Sequence, residues 1–346
     1  MRRISKTFSI GFVAAALAAV AALAAGSATA APARHAAKQD GVKLSLVGYS
    51  VAREEYKDII PAFQRTPDGQ GVTFDQSFGA SGDQARAVVN GLPADVVHLS
   101  LEPDVKTLVD AGLVDAGWKK QLPNNGIPTT SVVVFVLRDG NPKKIKSWTD
   151  LARKGVQIVT PNPATSGAAK WNILGAYYSQ IKAGKKPAEA EAYLKQVAKN
   201  IVSFDKSGRD ALNTFLSGKG DVLLTYENEA ILAQKQKQPV FYIIPRITLR
   251  IDTPVAVLKS SKNPAQAKAF AQYLFTPEAQ LLAAKSGYRP ADKNILATQK
   301  FPPRPGLFTI VDKFIGGWSK ADPAFFDASN GIFSKIVNSG GIGGGS

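Results

Sequence analysis

The sequence predicts an α/β protein of two domains, each a mainly parallel sheet flanked by helices. Three observations predict it. Apolar segments with strand-like alternation are followed repeatedly by segments with helical spacing, the order that builds parallel sheets. The chain has 346 residues, more than one hydrophobic core usually serves. It contains no cysteine, so disulfides, thiolate metal sites and cysteine catalysis are excluded.

The elements follow in order. Arg2, Arg3 and Lys6 precede an apolar run over 10–25, and Ser27-Ala28-Thr29-Ala30 sets small residues at the spacing a signal peptidase reads. Residues 1–30 are therefore expected to be a secretory signal, cleaved after Ala30. The run falls short of the roughly 20 apolar residues that span a bilayer. "VKLSLVG" (42–48) alternates as a strand, and Tyr56, Ile59, Ile60 and Phe63 then form one helix face. "GVTFDQ" (71–76) is a second strand; "DQARAVVNG" (83–91) is a helix closed by Gly91. "ADVVHLSL" is a third strand and "DVKTLVDAGLV" a helix broken near Gly112.

"SVVVFVLRDGNPKKI" (131–145) is a long apolar strand with a turn, and Ser147 caps the short helix after it. "VQIVTPNP" is a strand; "KWNILGAYYSQIKAG" and "EAEAYLKQVAKNI" are helices. "GDVLLTYENEAILAQ" (220–234) is a strand and a helix, and "TPVAVLKSSKNP" another strand. "AQAKAFAQYLFTPEAQLLAAKSG" is a helix pair with Pro277 opening its second member. Residues 338–346, "NSGGIGGGS" from Asn338, are expected to be a flexible tail.

Charge narrows the function classes. Lys and Arg number 43 against 27 Asp and Glu, a formal +16. Such a balance attracts anions. The lysines are scattered, and no basic helix or aromatic-basic motif appears, which argues against nucleic acid. The two histidines, His35 and His98, have no spaced partner for a catalytic triad or a zinc site.

Four strand-to-helix turns share one peculiarity: they are rich in Ser and Gly. They are "GYSVAREEY" with Ser50, "SFGASGDQA" with Ser77, Ser81 and Gly82, "NPATSGAAKW" with Thr165, Ser166 and Gly167, and "DKSGRDALN" with Ser207, Gly208 and Arg209. A helix start leaves unpaired N–H groups and about half a positive charge. Small residues let an anion approach that backbone, and serine adds a hydroxyl donor. In open α/β sheets ligands bind beyond the carboxyl ends of the strands. The competing reading is plain: a serine there is an ordinary N-cap, and the glycines serve only the turns. Asp83, Asp205 and Asp210 lie close to these loops, and spacing does not say whether one reaches the pocket.

"DQSFGASGDQA", "VFVLRDGNPKKIKSWTDL", "PNPATSGAAKWN", "GDVLLTYENEA", "FTPEAQLLAAKSGYRP" and "LFTIVDKFIGGW" together resemble, in order, signature stretches of the periplasmic sulfate- and thiosulfate-binding proteins. The resemblance runs from about Tyr49 to Phe333. It implies a two-lobed type II periplasmic binding protein: one lobe of 42–130 plus 259–337, with C-terminal helices able to touch both lobes, a second of 138–249, and hinge strands at 131–137 and 250–258. It also implies the ligand set. Ser50 stands where the family offers a backbone N–H, usually from an aspartate. Ser81 matches a serine giving N–H and hydroxyl. Ser166, Gly167 and Ala168 match the donating helix start, and Gly208 a further backbone donor beside Arg209. Tyr226 stands where sulfate binders usually have a tryptophan. Arg209, Thr165 and Gly82 would support these residues from behind.

The implied function is capture of sulfate, or thiosulfate, and delivery to an ABC permease by a monomeric periplasmic protein with no lipid anchor, no cofactor and no metal. Four rivals remain. The first is another oxyanion such as molybdate or phosphate. The second is ferric iron held by Tyr177-Tyr178, against which stands packing inside a helix. A periplasmic hydrolase would use Glu227 and Glu229, which at i, i+2 do not face each other and read as a solvated helix start. The last is a wall or membrane-surface protein with salt-sensitive adhesion.

Overall fold

The computed structural model describes residues 41–341. The signal at 1–30, His35 and the end of the tail lie outside the described residues; Asn338 closes the last helix, and Ser339 and Gly340 form a turn after it.

Twelve strands are present among the described residues: β1 (Lys43–Tyr49), β2 (Thr73–Gly79), β3 (Val96–His98), β4 (Thr129–Arg138), β5 (Ile158–Pro161), β6 (Ile201–Asp205), β7 (Val222–Tyr226), β8 (Val240–Ile243), β9 (Ile247–Asp252), β10 (Val255–Val257), β11 (Arg289–Pro290) and β12 (Gly306–Phe308). The α-helices are α1 (Arg53–Gln64), α2 (Ser81–Val89), α3 (Glu102–Asp110), α4 (Gly167–Lys182), α5 (Pro187–Lys199), α6 (Gly208–Leu216), α7 (Glu227–Lys235), α8 (Pro264–Tyr273), α9 (Pro277–Lys285), α10 (Lys293–Thr298), α11 (Trp318–Phe326) and α12 (Ile332–Asn338).

The strands form two sheets. The first runs β10-β3-β1-β2, with β1 parallel to β2 and β3, and β10 antiparallel to β3. The second runs β12-β9-β4-β7-β5-β6, with β8 and β11 also on β4. The first sheet is mainly parallel, as the strand–helix alternation predicts. The second is mixed, because β4 is antiparallel to β7, β8, β9 and β11. The chain passes from the first sheet to the second through β4 and returns from β9 to β10, so these two strands run opposite ways. Only Thr253 and Pro254 separate β9 from β10.

Burial explains the elements. Val132 to Leu137 are all buried, as a central strand covered on both faces requires. Helix α4 is buried nearly all round, from Gly167 to Gln180 except Lys170, so it carries no narrow apolar stripe. Phe270 of α8 seats the first sheet, with its ring 4.6 Å from Phe74 and 5.1 Å from Phe63. The C-terminal helices pack elsewhere: Phe325 of α11 lies 4.8 Å from Tyr177 of α4, and Phe333 of α12 lies 6.4 Å from Phe204 of β6.

Candidate functional site

Six carboxyl-terminal strand ends, three from each sheet, carry the loops that meet. Ser50 follows β1, Ser81 follows β2 and Ser100 follows β3. Gly167 follows β5, Gly208 follows β6, and Tyr226 ends β7. The contacts between the two groups are direct. The Gly82 N–H donates to the Thr165 carbonyl at 2.9 Å. Arg86 donates to the Ala164 carbonyl at 3.2 Å. The Arg209 N–H reaches Ser50 Oγ at 3.4 Å. A methyl group on Gly208 would meet Val51 at 3.1 Å and Ala168 at 3.5 Å.

Each helix start in the cluster presents donors. Ser81, Gly167, Ala168 and Gly208 hold the first N–H groups of α2, α4 and α6, which have no partner inside their own helices. The serines before α4 and α6 then differ. Ser207 is a working N-cap: its Oγ accepts from the Asp210 N–H at 3.2 Å and donates to the Asp210 carboxylate at 2.8 Å. Ser166 also precedes a helix and is 4% exposed, yet its side chain makes no capping bond. The N-cap reading holds for one serine and fails for the other.

Ser81 has a different fate. Its hydroxyl donates to Asp104 Oδ2 at 2.5 Å and accepts from the Ser100 N–H at 2.8 Å. The one hydroxyl proton is therefore committed to Asp104, and the Ser81 N–H is what remains to offer. Burial pushes the Asp104 carboxyl up to about 6, against the Ser81 bond and the nearby Lys170 charge. The aspartates flagged in the sequence stay local. Asp83 pairs with Arg86 at 2.5 Å, Asp205 accepts from Thr214 at 2.6 Å, and Asp210 serves the Ser207 cap.

Tyr226 is fully buried, and its hydroxyl lies 2.6 Å from Ser100 Oγ. Burial holds its phenol far above the ordinary value, so it stays a donor. The Trp171 ring N–H donates to the Ser100 carbonyl at 2.9 Å. Gly167 lies so close to Ser100 that an added Cβ would stand 2.6 Å from its Oγ. Ser100 and Asp104 thus belong to the site, and the sequence reading missed both. "HLSLEPD" reads as a strand running into a helix, and the partners lie far off: Tyr226 is 126 positions from Ser100.

The rival sites are otherwise engaged. Glu227 and Glu229 are not a solvated helix start; both are buried. Glu227 takes a two-pronged bond from Arg289 at 2.6 and 2.8 Å, and Glu229 one from Arg209 at 2.8 and 2.7 Å. Tyr177 and Tyr178 are buried edge-to-face at 5.1 Å against Phe325. Among the described residues no group of three His, Cys, Asp or Glu stands close enough to hold a metal ion. His98 joins a buried network, 2.8 Å from the Tyr56 hydroxyl and 3.1 Å from Thr253 Oγ1.

Residues 44–289 match the family model for bacterial extracellular solute-binding proteins. The chain belongs to that family, among its sulfate- and thiosulfate-binding members. It is 45% identical to the sulfate-binding protein of Synechococcus elongatus, over 85% of this chain and 86% of the relative. It is 38% identical to the thiosulfate-binding protein of Pseudomonas aeruginosa, over 84% of this chain and 91% of the relative. The solved structure of the sulfate-binding protein SubI from Mycobacterium tuberculosis superimposes with a TM-score of 0.79 at 40% identity, covering 83% of this chain and all of that one. The fold is the two-lobed periplasmic binding protein of the second type.

Proposed function

We propose that this protein captures sulfate, with thiosulfate as its second ligand, and hands it to an ABC importer. Ser50, Ser81, Gly167, Ala168 and Gly208 supply backbone N–H groups; Ser166 and Tyr226 supply hydroxyls. Arg209, Thr165 and Gly82 stand behind them. The observation that carries the reading is Ser166: a buried helix-start serine that caps nothing, beside first-turn N–H groups from α2, α4 and α6. Its hydroxyl is left to donate elsewhere, and an anion seated on those N–H groups is the natural acceptor.

The chemistry favours a fully deprotonated oxyanion. Sulfate at neutral pH only accepts hydrogen bonds, so donors alone satisfy it. Phosphate keeps a proton, which a donor-only cradle leaves unpaired at about 1–3 kcal/mol. Such a mismatch discriminates between ligands of similar shape. The nearest carboxyl, Asp104, is occupied by Ser81. Arg209 is already neutralised by Glu229, so ligand charge is met by helix-start dipoles.

The remaining parts of the reading fit this role. Residues 131–137 and 250–258 act as hinge strands between a lobe built on 42–130 and a lobe built on 138–249; of the stretch 259–337, α8 packs on the first sheet while β12, α11 and α12 pack with the second, and closure brings Ser100 to Tyr226. Residues 1–30 export the protein to a periplasm. Binding without turnover is expected, because both candidate catalytic glutamates are held in ion pairs. Isothermal titration with sulfate, thiosulfate, molybdate and phosphate tests the proposal. Micromolar binding of the first two, with phosphate weaker by tenfold or more, is expected. No micromolar binding of sulfate or thiosulfate overturns it, as does hydrolysis of sulfate or phosphate esters.

A further inference from the structure

A second cavity, of about 500 Å³, opens beside the strands that cross between the two sheets. None of the residues of the anion cradle lines it. Thr130 of β4, Arg250 and Asp252 of β9, and Pro254 in the link to β10 form one wall. Its volume is that of an organic ligand site, far larger than one tetrahedral oxyanion needs.

The charges of this cavity do not balance. Lys119 is paired with Glu102 at 2.5 Å, and Arg250 with Asp252 at 2.7 Å. Arg304 and Lys293 also line it, and neither has a carboxylate partner among the ion pairs of the described residues. Arg304 stands among other cations: it feels Arg289 and Arg250, while the acid it feels, Glu227, is already held by Arg289. Arg304 and Arg250 are half-buried and Lys293 is exposed; like charges around such a pocket repel, and an anion between them relieves the repulsion. Trp118, Trp318, Leu307 and Ile310 give the wall an apolar, partly aromatic part, beside the polar Asn124 and Asn125.

We infer that this cavity is a binding site for an organic anion with two negative charges on a compact apolar body, such as an aromatic dicarboxylate or an aryl phosphate. Arg304 and Lys293 take the charged groups, and the two tryptophans border the apolar body. The site also adjoins the cradle. Trp318 packs edge-to-face on Trp171 at 4.6 Å, and Trp171 holds the Ser100 carbonyl. A ligand lodged against β4 and β9 touches the strands about which the lobes move. A ligand that prefers one arrangement of those strands changes sulfate affinity, and sulfate changes its affinity by the same factor.

The test titrates isophthalate and phenyl phosphate into the full protein, with and without saturating sulfate. Binding of at least one probe is expected at sulfate saturation, weakened roughly tenfold or more in Arg304→Gln and in Lys293→Gln, for loss of a charge-assisted bond. Neither side chain belongs to the cradle, so sulfate affinity without probe should be unchanged in both variants. Three results overturn the inference: no binding of either probe below about 10 mM, a Kd weaker than typical ligand sites reach; binding undiminished in both variants; or simple displacement of the probe by sulfate, which would place it in the cradle. The inference stands or falls separately from the sulfate reading, whose failure would appear in the titration without probe.

Discussion

Ser166 and Ser207 make the sharpest pair of substitutions, because the same change should do opposite things at two similar helix starts. Ser166→Ala removes a hydroxyl that caps nothing and that the proposed cradle turns on the anion. A hydrogen bond to a charged group contributes about 1.5–3 kcal/mol net. At about 1.4 kcal/mol per decade, sulfate should bind roughly 10- to 150-fold more weakly. Stability without ligand should stay within about 0.5 kcal/mol, because no cap is lost. Ser207→Ala removes a real cap, with its 3.2 Å bond from the Asp210 N–H. It should cost about 1 kcal/mol of stability. Sulfate affinity should stay within about threefold, since the Gly208 N–H remains in place. Calorimetric titration gives the affinities and urea unfolding of the ligand-free protein gives the stabilities. If Ser166→Ala destabilises the fold while leaving affinity intact, Ser166 is a cap and the cradle has been assigned to the wrong serine.

Other consequences follow from the same geometry. Gly167→Ala puts a methyl 2.6 Å from both Ser100 Oγ and Leu101 Cδ2; overpacking of this kind costs about 1–3 kcal/mol, so sulfate affinity should drop by tenfold or more, and an unchanged titration would show that the loops never approach so closely. Ser81→Ala strips Asp104 of its donor and should weaken sulfate binding by about tenfold; Asp104→Asn removes a negative charge near the anion and should strengthen it. Because Asp104 is pushed up to about 6, wild-type affinity should rise as pH falls through that value, and Asp104→Asn should flatten the profile. Glu55 and His98 predict a stability optimum on the acid side of neutrality. Burial raises Glu55 from 4.5 to about 8 and lowers His98 from 6.5 to about 3. The Glu55 contribution is full below 4.5 and lost as pH rises through 8; that of His98 is full above 6.5 and lost as pH falls through 3. Glu55→Gln should thus gain on wild type as pH rises above 4.5, and a pH-independent difference in urea unfolding would disprove that Glu55, 3.4 Å from His98 in the core, is neutral in the fold.

Helix starts were legible in the sequence because their signal is local: small polar residues next to an apolar run. The distinction between the two serines was also within reach. Ser207 has Asp210 three positions on, a polar partner at the third helical position, as a capping pair requires. Ser166 has Ala169 there, which has no side-chain polar group to reciprocate. What was not legible depends on partners brought from far along the chain. Glu227 and Glu229 look solvated beside each other in "YENEA", yet their arginines come from 62 positions later and 20 positions earlier. The mixed second sheet was equally hidden. Apolar runs mark β4 and β7 as buried strands but say nothing about direction; that follows from β4 carrying the chain into one sheet and β9 carrying it out.

On the proposed reading, the arrangement of charge around the cradle lets a dianion be buried without a counter-ion touching it. Three charged pairs stand near the loops: Arg209 with Glu229, Arg289 with Glu227, and Lys170 with Asp322 at 2.6 Å. Those pairs tie down helices that open at the cradle, α6 through Arg209, α7 through Glu227 and Glu229, and α4 through Lys170. The ligand then meets oriented N–H groups, which need no reorganisation when it arrives. A free arginine in the same place would bind anions more tightly but with less regard to their protonation, because a full charge attracts phosphate as readily as sulfate. The long-range attraction is left to the basic surface, a formal +16 over the chain, which gathers anions of every kind. The proposed cradle leaves selection to Ser166, Gly167, Ala168 and Gly208, whose smallness permits backbone contact.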